Sequence, residues 1–331
     1  MMSSRLSRRG LLAAAGLGLA APRPAAAQQT APWPQRAPIR LLVPFGTGGA
    51  TDIVARVFAE AMSRHLGQTI VVENRPGAGA TIGTTAAARA PADGYTLVVS
   101  TISGLAIGQT LYRDRIAWDA DRDFAHIGMI LQTPWILCVR PDSPMRSLAD
   151  WLAAARRADG LAYGTTGVGS VAHLLGVQLA QASGATMEHV PYRSLTQSGA
   201  DLMGGTLPGI VESLTATSGF IRAGSMRPLA SSGSRRSPLF PEIPTFAELG
   251  FPGVVADGWA GLAAPAGTPR PVLEAVAAAL RAAQGEPTVR QRLADLSSTP
   301  GEAYLDEAQA FVRQQVAQWA PVVRASGAVP E

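Results

Sequence analysis

Residues 39–66 read IRLLVPFGTGGATDIVARVFAEAMSRHL. The first seven are an almost unbroken apolar run, as expected of a strand covered on both sheet faces. Gly46-Thr47-Gly48-Gly49-Ala50 then makes a turn. Beyond it Ile53, Val57, Phe58, Ala61, Met62 and Leu66 recur at helical spacing, and Gly67 supplies a stop. The same unit follows downstream. Residues 69–73 read as a strand, Arg75-Pro76-Gly77-Ala78-Gly79 as a turn, an alanine-rich helix runs to Ala90, and 95–100 is a third strand. This βαβαβ order predicts a parallel, doubly wound α/β sheet.

Further along, 124–131 and 135–140 are apolar runs joined by Gln132-Thr133-Pro134, read as two strands that carry the chain from one domain to another. A helix over 148–158 and a short strand over 161–164 lead into a second glycine turn, Gly164-Thr165-Thr166-Gly167-Val168-Gly169-Ser170. The helix after it places Val171, Leu174, Leu175 and Leu179 on one face. Strands over 188–193, 208–212, 226–231 and 259–264, a short helix over 199–203 and two C-terminal helices complete the pattern. The expected division is residues 38–133 with 263–331 in domain 1 and 134–262 in domain 2. The apolar runs near Trp135 and Trp259 would then form a two-stranded hinge.

Composition narrows the function. The chain has 331 residues, 47% hydrophobic and 16% charged, enough for a large core and against disorder. Residues 1–27 hold Arg5, Arg8, Arg9 and Arg23 and no acid; without those four, 24 basic residues face 24 acidic ones. A balanced body argues against a nucleic-acid partner, for all that the pI is near 9.8. There is no lysine, which excludes a lysine Schiff base and a normal Walker A loop. Cys138 is the only cysteine and lies in an apolar run, so it reads as a core residue and excludes a disulfide framework. The start, Ser7-Arg8-Arg9-Gly10-Leu11-Leu12 followed by a short apolar run and Ala25-Ala26-Ala27, reads as a cleaved secretory signal of twin-arginine type. Residues 28–37 then form a flexible mature N-terminus, and the address is the periplasm.

A glycine turn that opens a helix presents unpaired backbone N–H groups at the positive end of the helix dipole, a place for an anion. Two such turns, one per domain, would hold the two ends of a dicarboxylate, or a carboxylate and a second polar group. Neither is a G-x-G-x-x-G fingerprint, so a dinucleotide is disfavoured. Asp52 reads first as a first-turn or capping carboxylate, and Ser170 as a cap. His173, His65, His126 and His189 have no partners at metal spacing. No serine, Ser103 and Ser170 included, sits in a G-x-S-x-G elbow.

Val43-Pro44-Phe45, Gly48-Gly49-Ala50-Thr51-Asp52 and Ala55-Arg56 resemble the opening motif of the tripartite tricarboxylate transporter receptors, also called Bug proteins. Val72-Glu73-Asn74-Arg75-Pro76-Gly77-Ala78-Gly79, Pro91-Ala92-Asp93-Gly94-Tyr95, Val190-Pro191-Tyr192-Arg193, Asp201-Leu202-Met203-Gly204-Gly205 and Trp259-Ala260-Gly261-Leu262 continue the likeness in order, over about residues 38–330. The resemblance implies a monomeric, two-domain Venus-flytrap receptor that uses no cofactor. It would bind a small organic acid or amino acid and hand it to transporter membrane subunits. The implied ligand-binding residues are Phe45, Gly46, Thr47, Gly48, Gly49, Asp52, Ser103, Thr165, Thr166, Gly167, Gly169, Ser170, Tyr192, Arg193 and Glu212. Arg193 stands where the family often has lysine, and Glu212 near a usual aspartate, so ligand identity does not carry over. An exported enzyme acting on a small carboxylic acid on the same scaffold is the alternative.

Overall fold

The computed structural model describes residues 32–157 and 160–330. The leader over 1–27 lies outside them. Residues 32–37, expected to be flexible, are held to the body: Trp33 Nε1 donates to the Gly94 carbonyl at 3.2 Å, Gln68 Nε2 to the Pro34 carbonyl at 2.8 Å, and Arg36 pairs with Asp93 at 2.6 Å.

The chain order is β1 (Ile39–Val43), α1 (Ala50–Leu66), β2 (Ile70–Asn74), α2 (Thr81–Ala88), β3 (Thr96–Thr101), α3 (Gly108–Leu111) and β4 (Phe124–Val139). It continues with α4 (Leu148–Arg157), β5 (Leu161–Thr165), α5 (Val171–Ser183), β6 (Met187–Pro191), α6 (Leu195–Gly204), β7 (Gly209–Ser213), α7 (Leu214–Arg222) and β8 (Arg227–Ser231). It closes with β9 (Asp257–Pro265), α8 (Arg270–Gly285), α9 (Pro287–Asp295), β10 (Thr299–Pro300) and α10 (Asp306–Ala325). A wide helical turn, Ile102–Ile107, leads from β3 into α3.

The sheet runs β2-β1-β3-β9-β4-β7-β5-β6. β1 lies parallel to both β2 and β3, and β5 parallel to both β6 and β7, so the doubly wound arrangement occurs twice. Between the two sets, β9 and β4 run antiparallel to their neighbours and to each other. In each set the chain leaves the central strand, pairs on one side, then crosses to the other. The crevice at that reversal, outside the carboxyl ends of the strands, is where open α/β sheets bind ligands.

One correction concerns β4. The two runs read as separate strands form one strand of 16 residues. Residues up to Pro134 pair with β9, and those from Trp135 onward pair with β7 and β8. Pro134 has no N–H for a ladder, and it stands where the strand changes partners, so no bond is lost there. A second correction is the C-terminus. Three helices follow β9 rather than two, because Gly285-Glu286-Pro287 breaks α8 from α9, with Pro287 at the first position of the new helix.

Helix α1 packs Val54, Ala55, Phe58, Ala61 and Met62 against β1, which buries every residue except Arg40, and against α8. Trp151, Tyr163 and Trp319 anchor a second core that includes Leu42, Leu137 and Val211. Burial of such side chains is worth roughly 1.5–3 kcal/mol each.

Candidate functional site

A cavity of about 300 Å³ lies where the two parallel sets meet. Phe45 from the end of β1, Thr101 and Ser103 from the end of β3, and Ala50 and Thr51 from the start of α1 form one side. Ser213, Thr215 and Ala216 from the start of α7 form the other. Thr133 and Trp135 of β4 and Trp259 of β9 make the floor, and Leu296 and Ser298 close an edge. The walls are largely apolar, and two helix starts open on them.

Each start follows from local sequence. Gly49 is the N-cap of α1 and offers no side chain, so the first intrahelical bond, Ile53 N–H to the Gly49 carbonyl at 3.0 Å, leaves the amides of Ala50, Thr51 and Asp52 without helical acceptors. Ser213 caps α7 by accepting from Ala216 N–H at 3.3 Å, which leaves the amides of Leu214 and Thr215 in the same state. Two helix N-termini from opposite halves of the sheet thus open on one cavity, each the positive end of a dipole.

Phe45 and Ser103, both expected in the site, line this cavity, and residues 46–49 form the loop that leads into it. Asp52 is tied to its own loop and helix. It is buried, and its carboxylate accepts from Gly48 N–H at 2.9 Å, Asn74 Nδ2 at 2.8 Å and Arg56 Nε at 3.1 Å. Asn74 also donates to the Phe45 carbonyl at 3.0 Å. The Arg56 hydrogen bond, opposed by burial and helped by the Gly48 amide, holds the Asp52 carboxyl down at about 2. Asp52 and Asn74 therefore fix the loop, and the Gly48 amide, expected to face a ligand, is turned inward.

Thr165, Thr166, Gly167, Gly169, Ser170, Tyr192, Arg193 and Glu212 do not line the cavity. They form a second cluster beside it. Thr165 Oγ1 lies 2.7 Å from His189 Nε2, Thr166 Oγ1 donates to Glu212 Oε2 at 3.0 Å, and Ser170 caps α5 by accepting from His173 N–H at 3.2 Å. Tyr192 donates its hydroxyl to Asp201 at 2.7 Å, and loss of solvent, with that bond, pushes the phenol up to about 12. Arg193 is exposed at the end of β6, and its own amide donates to Gln197 at 3.3 Å. Glu212 is the link to the cavity: it precedes Ser213, whose N–H it accepts at 2.7 Å. The residues missed from sequence are Trp135, Trp259, Thr101, Thr133 and the α7 start. The α7 start carried a signal, a serine between a strand and a helix-compatible Leu-Thr-Ala run. The others meet at the cavity through the pairing of β9 with β3 and β4.

Among the described residues no group of three His, Cys, Asp or Glu side chains is placed to hold a metal ion. Cys138 is buried, and burial raises its thiol far above the range of a reactive cysteine.

The two winding crevices and the facing helix starts are those of a periplasmic binding protein. Residues 54–328 match the family described as "Tripartite tricarboxylate transporter family receptor". The chain belongs to that family. It is 36% identical to Protein BugT of Bordetella pertussis over 320 residues, 96% of this chain and 98% of that protein. Among solved structures it is similar to the periplasmic binding protein BugD, with a TM-score of 0.72 and 33% identity, covering 88% of this chain and 98% of that one. An R. palustris protein solved with adipate gives a TM-score of 0.75 at 31% identity, covering 91% of this chain and all of that one. MatC from Rhodopseudomonas palustris, solved with bound malate, gives 0.72 at 28% identity, covering 87% and 99%.

Proposed function

We propose that this protein is a periplasmic receptor that captures a small organic acid or amino acid in the cavity between the two halves of the sheet and carries out no chemistry on it. The observation that carries this is the convergence of the α1 and α7 N-termini on one cavity with apolar walls. Free amides at two positive helix ends suit a carboxylate at one end and a carboxylate or other acceptor at the other. Trp135 and Trp259 suit the hydrocarbon body between them. A volume of about 300 Å³ is at the small end for ligand pockets and favours a short acid. Adipate and malate, bound by two structural relatives, are of this class.

On this reading residues 38–133 with 263–331 form one lobe and 134–262 the other, hinged where β4 and β9 cross. The leader is removed near Gln28, the mature chain is a monomer in the periplasm, and the loaded form docks on transporter membrane subunits. Protein purified gently from periplasm should release a small acid on denaturation, identified by mass spectrometry, and its N-terminus should begin near Gln28. Calorimetry with the released compound, and with malate and adipate, then measures binding. Conversion of the compound during long incubation, or protein that carries no acid and binds none of the three, would overturn the proposal.

A further inference from the structure

The two glycine loops share one locking device. In the first loop Gly48, at φ +84°, precedes the N-cap Gly49, and its N–H donates to the side chain four residues on, Asp52. In the second loop Gly169, at φ +70°, precedes the N-cap Ser170, and its N–H donates to the side chain four residues on, His173 Nδ1, at 3.0 Å. The geometry is the same and the acceptor differs. Asp52 is a carboxylate tied also to Arg56 and Asn74. His173 accepts through a ring nitrogen, which requires a neutral imidazole with its proton on Nε2.

The surroundings keep that ring neutral. His173 is buried and stacks on His189 of β6, with ring centroids 3.9 Å apart and planes 20° apart. Tyr163 of β5 donates its hydroxyl to the His173 carbonyl at 3.0 Å and lies 5.5 Å from the His189 ring. Thr165 of β5 bonds His189. Leu111 and Ala328 pack against Gly169. Glu188, next to His189, lies on the other face of β6 beside Gly160. Among the described residues no carboxylate or guanidinium bonds either ring, so nothing compensates a positive charge there.

We propose that His173 is the positioning residue of the second loop and makes that loop proton-sensitive. A proton taken from solvent by Nδ1 removes the acceptor of the Gly169 N–H and sets a cation against the His189 ring, so the second loop is unlatched while the Asp52 lock of the first loop holds. Burial holds His173 below the ordinary histidine range, and burial with the neighbouring His173 takes His189 down to about 4. The latch is thus closed at neutral pH and opens only below the ordinary histidine range. That an open latch would loosen a bound acid rests on the receptor reading; the latch itself does not.

The test uses the ligand-free mature protein labelled with ¹⁵N. Long-range ¹H–¹⁵N spectra of the imidazoles should show His173 Nδ1 unprotonated at pH 7. Amide exchange, corrected for intrinsic rates, should show Gly169 losing at least tenfold protection between pH 7 and the acid pH at which the same spectra show His173 protonated, with Gly48 unchanged. His173→Asn places a non-titrating acceptor near the same point and should keep Gly169 protected at both pH values; His173→Leu should leave it unprotected at both. A protonated Nδ1 at pH 7, Gly169 protection that persists where the His173 ring is protonated, or a ring that stays neutral until the protein unfolds would overturn the proposal, and all are read on the parent protein even if a variant does not fold. Since no ligand is added, failure here is separate from failure of the receptor reading.

Discussion

Gly48 and Gly49 are adjacent and look alike in sequence, yet the chain needs glycine at only one of them. Gly48 has φ +84° and open space around a would-be Cβ, so its requirement is conformational and not steric. Gly49 is extended, at φ −74°, and a Cβ would meet only the Gly46 carbonyl oxygen at 3.7 Å. Gly48→Ala should therefore destabilise by about 1–2 kcal/mol, the cost of a left-handed L-residue, while Gly49→Ala should stay within about 1 kcal/mol of the parent. Urea midpoints of the two variants check the order. Asp52 gives a second prediction at this scale. Its carboxyl titrates near 2, against an ordinary 3.8, because Arg56, Gly48 and Asn74 bond the ionised form. A lowered carboxylate pKa contributes stability that is complete above 3.8 and lost as pH falls from there through about 2. Asp52→Asn should cost about 1.5–3 kcal/mol at pH 7, the worth of hydrogen bonds to a charged group. Thermal unfolding across that window should fall less steeply with acid in the variant than in the parent; parallel curves would refute the account.

At the scale of elements, the crossing of β4 and β9 matters most. Thr133 pairs with Gly258 and Pro134 with Asp257, just before β4 turns to β7 and β8. A Cβ at Gly258 would fall within the Trp135 ring, which lines the cavity. Gly258→Ala should force that ring from its place, at a cost of about 1–3 kcal/mol for overpacking, and weaken ligand binding more than it weakens the fold. Tryptophan fluorescence and calorimetry with the released acid test this; unchanged binding would mean that Trp135 is no part of the site. Helix α7 gives a companion case. Ser213→Ala removes its cap and should cost about 1 kcal/mol of stability. It should change affinity little if the amides of Leu214 and Thr215 are the donors, which the same titration measures.

For the whole molecule, two winding sets meet at β4 and β9, which is where the proposed receptor would hinge. The two halves are joined at the cavity floor by those strands, and each contributes one helix start. On the proposed function, closing the halves would bring the two dipole ends to opposite ends of the acid, a domain motion of the kind periplasmic binding proteins use. Small-angle scattering should show a smaller radius of gyration with the released acid than without it. Identical curves at saturating ligand would argue for a rigid cleft.

The strand–glycine turn–helix order was legible in residues 39–66 because it rests on local chemistry: apolar periodicity, glycine where φ is positive, and a stop at Gly67. Loop positions were legible for the same reason, as was the cap role of Ser170. What local chemistry cannot hold is the direction of a backbone N–H once a side chain four residues away competes for it. Asp52 and His173 claim the Gly48 and Gly169 amides, and only the folded helix start puts them in reach. The cavity walls were hidden for a different reason. The runs near Trp135 and Trp259 read as two hinge strands, more than a hundred residues apart, but nothing in either run marks its ring as a cavity wall. That both rings face one cavity is a matter of antiparallel register between β4 and β9, and of the partner change at Pro134, both properties of long-range pairing that no window of sequence contains.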